Sequence, residues 1–409
     1  MRCFISLFLL CATTRVDAQE WPRFRGPNGA GVSTTKFPVQ WTEKDYLWKV
    51  ALPGRGNSSP IAWEDHVFVT AAADKTGMRF VLCVDASSGK TVWQREFADA
   101  AYKLHARNHI ATSTPTVDAE RLYLAWATPT HYLVQALDRQ TGKDVWKADL
   151  GKYVSQHGFG ASPILYEDLL ILSNEQDKTG SLHALDVKTG NEVWKLPRNS
   201  GNATYSAPCI YHVGNRPASI VFTNWQHGIT AVEPRTGRVQ WELSVFEPKK
   251  QERAIASPVI AGDLVLGTCG FVTGQKHFVA VRPTNDGTAR EVWRMEKSVA
   301  YMPTPIVKGE RIFICSELGV LSCVEAATGK LVWQERIPDQ QFSASPVCAG
   351  DAIYCTANDG DVFVVEASDT FKLLGKSRLG DATQSTPAIG AGRMIFRTQG
   401  HLLAIGAGN

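Results

Sequence analysis

After its first few residues, the chain holds no segment near the roughly 20 consecutive apolar residues that a membrane-crossing helix requires. Metal-ligand spacing is missing too: there is no C-x-x-C pair and no histidine pair flanking a cysteine, which excludes a structural zinc site of the usual pattern. No block of like charge exceeds a few residues, and 43 basic side chains stand against 40 acidic ones, a net charge of +3. Binding to nucleic acid or an anionic membrane needs a concentrated basic patch, so neither partner is expected. A Gly-x-Ser-x-Gly elbow, a P-loop and a dinucleotide fingerprint are all lacking. Nor does apolar spacing of three and four residues persist anywhere, which excludes a helical architecture.

Residues 1–18 read as a secretory signal peptide. Arg2 supplies the positive start, Phe4 to Ala12 a short apolar run, and Val16-Asp17-Ala18 a cleavage site with small residues. A lipoprotein reading through Cys11 is disfavoured, because Leu10 stands where a small residue is expected. Of nine cysteines, Cys3 and Cys11 leave with this segment. The remaining seven are an odd number, so at least one is unpaired or forms an intermolecular bond. Cys83, Cys315, Cys323 and Cys355 fall in apolar strand patterns and read as small buried hydrophobes.

What the chain does have is a repeat. A small residue followed by proline recurs as Ser59-Pro60, Thr114-Pro115, Ser162-Pro163, Ala207-Pro208, Ser257-Pro258, Thr304-Pro305, Ser345-Pro346 and Thr386-Pro387, at intervals of 41 to 55 residues. After each proline come three short strands and a turn leading to a fourth strand that carries tryptophan. Ala184 to Trp194 is a full copy of this last part, Ala-x-Asp-x-x-Thr-Gly-x-x-x-Trp, and Ala136 to Trp146 is another. Ala231 to Trp241 and Cys323 to Trp333 keep the spacing with glutamate for aspartate, and Cys83 to Trp93 keeps it with Ser88-Gly89. Ala280 to Trp293 is three residues longer, whereas Val365 to Leu374 has lost both glycine and tryptophan. Glycine permits the positive φ of a tight turn, the acid accepts turn N–H groups, and the indole offers a flat apolar face to a neighbouring sheet.

Four strands of about five residues per repeat are the dimensions of a propeller blade, which buries its two apolar faces only between neighbours. The eighth repeat ends at Asn409 without a tryptophan strand, while Tyr46 to Val50 is a tryptophan strand without a preceding three. The expected fold is therefore all-β: an eight-bladed propeller of four-stranded antiparallel blades whose last blade is closed by the N-terminal strand. Residues 46–409 form one domain in this reading, preceded by an extension over 19–45. Its structural tryptophans are Trp48, Trp93, Trp146, Trp194, Trp241, Trp293 and Trp333.

The eleven-residue pattern resembles the tryptophan-docking motif of PQQ-type quinoproteins. It also resembles that of their non-enzymatic relatives, such as the outer-membrane assembly lipoprotein of the BamB type. The likeness covers about residues 41 to 405, and Trp21 to Gly29 resembles a start common in exported PQQ-like proteins of planctomycete-type bacteria. The resemblance implies the propeller fold more specifically than any activity, because the motif is a packing device.

Chemically rich segments fall on one face. They are the loops entering blades and those between second and third strands, and a rich face around a central funnel is the default binding surface. His105, Arg107, Asn108 and His109 enter blade 2, His157 enters blade 3, and Asn202 and Tyr205 precede blade 4. Arg253 precedes blade 5, Tyr301 and Met302 precede blade 6, and Asp381 and Gln384 precede blade 8. Glu175, Trp225, His227 and Phe271 lie in the other loops. His105 and His109 are four apart, a spacing that pairs metal ligands on a helix, but the stretch reads as a loop. His157 reads as a structural histidine, and Trp225 as either a stacking platform or interblade packing. Asn358-Asp359-Gly360-Asp361 reads as a hairpin turn, since a calcium loop needs regular acidic spacing and a closing glutamate.

Two functions compete, with a lipid-anchored assembly factor a third, weakened by the residue before Cys11. The first is an exported, periplasmic or extracellular, monomeric binding or scaffold protein without a catalytic residue or cofactor, holding a protein partner or small polar ligand at the top face. The second, implied by the resemblance, is a dehydrogenase of alcohols or sugars with PQQ and calcium in the funnel. Glu175, Asn202 and Asp381 would be its ligand or base candidates. The chain is shorter than the resembling enzymes and lacks the adjacent cysteines they often place against the cofactor.

Overall fold

The computed structural model describes residues 20–102, 104–105, 108–246, 252–272 and 274–408. Its strands group into eight sheets, each four strands deep from the centre outwards, with one sheet extended to five. Blade 3 shows the plan: Ile164–Tyr166, Leu169–Glu175, Lys178–Asp186 and Glu192–Gly201 pair antiparallel in chain order. The second strands are buried along most of their length, and wholly in Leu169–Glu175 and Leu264–Gly270, because each sheet has a neighbour on both faces. This is why they read as continuous apolar runs rather than alternating ones. Outer strands such as Thr91–Phe97 alternate between half-buried and exposed.

The ring closes through the chain's beginning. Tyr46–Ala51 forms the outer strand of blade 8, antiparallel to His401–Gly406, with Trp48 opposite Ala404. Both ends of the ring thus share one sheet, and no terminal blade keeps an open edge.

Tryptophan and turn glycine of each motif serve different contacts. The Trp146 indole donates to the carbonyl of Val187 in the next blade at 2.9 Å, and its ring lies where a Cβ on Gly190 would come within 2.5 Å. Trp48 meets Gly89 in this way, Trp93 meets Gly142, Trp194 meets Gly237, and Trp293 meets Gly329. Their indole N–H groups reach carbonyls of Ala86, Arg139, Pro234 and Ala326. Glycine therefore supplies both positive φ (74° at Gly190) and the bare surface on which an indole lies flat.

Blade 7 is the exception, and the N-terminal extension compensates. In register, Gly375 occupies the tryptophan position opposite Val364. A Cβ there would lie 2.2 Å from the Val39 carbonyl oxygen, so residues 39–41 fill the space instead. Trp41 from this segment packs between Phe396 and Tyr354, with ring centroids 5.5 and 6.3 Å apart, and its backbone N–H donates to the Ser377 hydroxyl. The indole missing from blade 7 is supplied from elsewhere in the chain.

The seven described cysteines are all buried, with no disulfide among them. Burial pushes the Cys83 and Cys209 thiols up to about 12. No described helix is long and apolar enough to cross a membrane.

Candidate functional site

The central channel is floored by the N-terminal arm. Trp21 exchanges backbone hydrogen bonds with Ala62 of blade 1, and the Pro22 carbonyl accepts from Val117 and Thr116 of blade 2. Arg23 donates to the Pro208 carbonyl in blade 4, and Asn28 pairs with the backbone of Ile210. Arg25 donates to carbonyls of Thr304 and Pro305 in blade 6 and of Pro346 in blade 7. Val32–Ser33 then runs parallel to Val347–Ala349, giving blade 7 its fifth strand. These contacts reach innermost strands around the ring, so residues 21–33 span the bore. The arm turns tightly enough to put Arg25 (φ 62°) and Asn28 (φ 48°) in the left-handed region, and a Cβ on Gly26 would strike the Trp21 ring.

Above the arm lies a ring built from the small residue that precedes each repeat's proline. The Ser59 N–H donates to the Thr114 hydroxyl, and the Thr114 N–H to that of Ser162. The series breaks at Ala207, which has no hydroxyl, and resumes from the Ala207 N–H to Ser257, Ser257 to Thr304, Thr304 to Ser345, and Ser345 to Thr386, at 2.9–3.0 Å. Proline has no N–H, so the preceding residue's N–H crosses to the next blade and ties the innermost strands together.

The arm, the ring and the loops above enclose a cavity of about 500 Å³. Phe24 and ring residues line it below, and His105, Asn108, His157, Tyr205, Arg253, Phe271, Tyr301 and Gln384 line it above. Asn108 donates to the His157 carbonyl at 2.7 Å and accepts from the Thr112 hydroxyl, which fixes the blade 2 and blade 3 loops against each other. The imidazoles of His105 and His157 lie 4.2 Å apart between centroids. Tyr205 shares a hydrogen bond with Ser155, and burial pushes its phenol up to about 12. Arg253 donates to Gln156, and Asn57 to Gln384. No aspartate or glutamate is among the described lining residues.

Other sequence candidates lie elsewhere. His109 is hydrogen-bonded to Asp74 outside the lining, and burial holds its imidazole below the usual range. Glu175 is wholly buried, its carboxylate bonded to Arg198 at 2.7 Å. Asn202 donates to the Glu252 carbonyl, and Trp225 is buried against Gly201. His227 bonds Glu242 and the Asn199 carbonyl, and Asp381 accepts the Gly400 N–H. Arg107 lies outside the described residues. Sequence reasoning missed Phe24, Asn57, Thr112 and Ser343; the hydroxyl ring had a visible signal in its recurring Ser or Thr before proline.

Ser181, His183 and Glu192 have the connectivity of a hydrolase triad, with Ser181 Oγ 2.7 Å from Nε2 and Glu192 2.8 Å from Nδ1. Ser181 and His183 are buried within the sheet and line none of the described cavities, so no substrate carbonyl can reach them.

A family model described as outer membrane protein assembly factor BamB matches residues 77–316 and 280–408. The outer membrane protein assembly factor BamB of Shewanella oneidensis is 21% identical, over 94% of this chain and 82% of the relative. The crystal structure of BamB from Moraxella catarrhalis superposes with a TM-score of 0.63 at 15% identity, covering 88% of this chain and 96% of that one. Quinohemoprotein alcohol dehydrogenase from Comamonas testosteroni superposes with a TM-score of 0.66 at 11% identity, covering 95% and 80%. Likeness at these identities shows a shared propeller fold.

Proposed function

The chain belongs to the PQQ-like repeat family whose model is described as outer membrane protein assembly factor BamB, and from that premise we propose an exported, non-catalytic binding or scaffold protein. It works through the loop-rich face and the funnel beneath it, as a monomer holding a protein partner or a small ligand. The observation that carries this reading is the cavity lining: small hydroxyls, amides, aromatic rings, two imidazoles and Arg253, with no carboxylate among the described lining residues.

The dehydrogenase reading requires PQQ and calcium, and the residues present do not fit them. Calcium takes oxygen ligands, commonly carboxylates. Glu175 is committed to Arg198 and Asp381 to the Gly400 N–H, and Asn202 holds a backbone carbonyl. None of these three lines the cavity. Among the described residues, no group of three His, Cys, Asp or Glu side chains is placed to hold a metal.

The test is to titrate the chain from Gln19 to Asn409 with PQQ and calcium, following tryptophan fluorescence and dye reduction with alcohols and sugars. No saturable quenching and no substrate-dependent reduction is the expected result. Saturable binding with substrate-dependent reduction would make the protein a small quinoprotein dehydrogenase.

A further inference from the structure

Four of the seven described cysteines crowd into one place, the seam between blades 6 and 7: Cys315, Cys323, Cys348 and Cys355 belong to a single buried cluster. Alternation along the strands decides which of them can meet. Along Arg311–Cys315, Ile312 and Ile314 pack towards blade 5 with Leu264 and Trp293, so Phe313 and Cys315 face blade 7. Along Ala352–Thr356, Tyr354 packs towards blade 8 with Phe396, so Ile353 and Cys355 face blade 6. Cys315 and Cys355 thus confront each other from the second strands of adjacent blades, each 2% exposed. Both line one small apolar slit with Phe313, Ile353 and Val365, and their thiols interact directly across it. The other two thiols of the seam have different surroundings. Cys348 Sγ reaches the Gly350 carbonyl at 3.5 Å, and Cys323 lies beside the Arg311–Asp369 ion pair.

The seam is held at this spacing by the chain that enters blade 7. The Phe342 N–H donates to the Glu317 carbonyl at 3.1 Å, and the Gln341 carbonyl accepts the Asn358 N–H at 2.8 Å. The Asn358 side chain in turn accepts the Ser343 N–H at 2.9 Å. Glu317 follows closely on Cys315 and Asn358 on Cys355, so one connection grips the ends of both cysteine strands.

We infer that Cys315 and Cys355 are a modification site, joined in the exported protein by a disulfide that staples blade 6 to blade 7. The oxidant is itself a disulfide, of a small molecule or a protein, acting by thiol–disulfide exchange. One cysteine attacks it, forms a mixed disulfide and releases one thiol. The thiolate of the other cysteine attacks that first cysteine's sulfur, forms the S–S bond and releases the second thiol. Two protons and two electrons leave the pair, and the oxidant is reduced to two thiols. Burial holds the Cys315 thiol well above its usual range, and a buried thiol is a poor nucleophile. The bond therefore forms while blades 6 and 7 are still closing on each other. The inference goes beyond the binding-protein reading and takes from it only export, which brings the chain to an oxidising compartment.

The experiment refolds the reduced, unfolded chain from Gln19 to Asn409 in a buffer of reduced and oxidised glutathione. The folded protein is then alkylated in denaturant and mapped by mass spectrometry. A linked peptide pair carrying Cys315 and Cys355 is expected, with five alkylated thiols in place of the seven of the reduced chain. Cys315→Ser and Cys355→Ser should each lose the cross-link, with no other pair taking its place. Where refolding fails, the same chain fused to a bacterial export signal and alkylated at lysis supplies the map. Seven alkylated thiols in the folded protein overturn the inference, as does a bond through Cys323 or Cys348. Because the oxidant or the export signal is supplied, neither outcome depends on the chain's own export, and the binding-protein reading is decided separately by the PQQ titration.

Discussion

At Trp194 the indole lies on Gly237 of the next blade, and its N–H reaches the Pro234 carbonyl at 2.8 Å. Truncation to alanine removes a buried bicyclic ring between two sheets, so Trp194→Ala should cost about 3–5 kcal/mol. Gly190→Ala should also destabilise, by more than the roughly 1–2 kcal/mol of a left-handed alanine, because its methyl would strike the Trp146 ring. Denaturant unfolding measures both, and a Gly190→Ala variant as stable as the parent would refute the docking account. Tryptophan and glycine were both legible in the sequence as one motif. Their mutual contact was not, since each of these five indoles meets the glycine of the next copy, about 36 to 49 residues away. Glu175 shows a similar limit. A loop carboxylate reads as a ligand candidate until its partner is known, and Arg198 comes from a different strand.

Among elements, the closing strand was the most legible part, because a repeat short of one strand at its end and an orphan tryptophan strand at the start complement each other. The rest of the extension was not legible. Residues 21–33 follow the bore and residues 39–41 fill a gap, and neither path follows a periodic pattern. The loss of tryptophan from blade 7 was visible, but its replacement by Trp41 depends on a three-dimensional vacancy beside Gly375. Trp41→Ala should therefore behave as a blade-core mutation rather than a linker mutation, lowering stability by about 3–5 kcal/mol. Equilibrium unfolding decides, and a loss below about 0.5 kcal/mol, as for an ordinary surface site, would show that the extension only decorates the ring.

Over the whole molecule, small local terms repeat around the ring and add. Hydroxyls of Ser87 and Ser88 hold the Asp85 carboxyl down to about 2, and Thr141 and Thr189 lower Asp138 and Asp186 in matching turns. A carboxyl lowered by folding stabilises the native state above its unfolded value, about 4, and that contribution fades as pH falls through the folded value. All three are partly open to solvent, so each effect is small. Melting temperature should fall between about pH 4 and about pH 2, and Asp186→Asn should flatten the slope in that interval while changing little at neutral pH. An unchanged acid slope in the variant would exclude the turn acids as its source. The blade number was readable at this scale because each blade repeats the same punctuation. The cavity was readable only as a loop-rich face, since its floor comes from an unrepeated segment.

That floor has a kinetic meaning. A propeller channel open at both ends lets a guest enter by one side and leave by the other, but the arm anchored by Arg23 and Arg25 leaves a single doorway. Arrival and departure then share one route through the loops, and anything seated across those loops traps what is inside. For a protein that holds a ligand in the funnel and a partner on the face, as proposed above, the two become ordered events: the guest loads first, the cover follows, and release waits until the cover lifts.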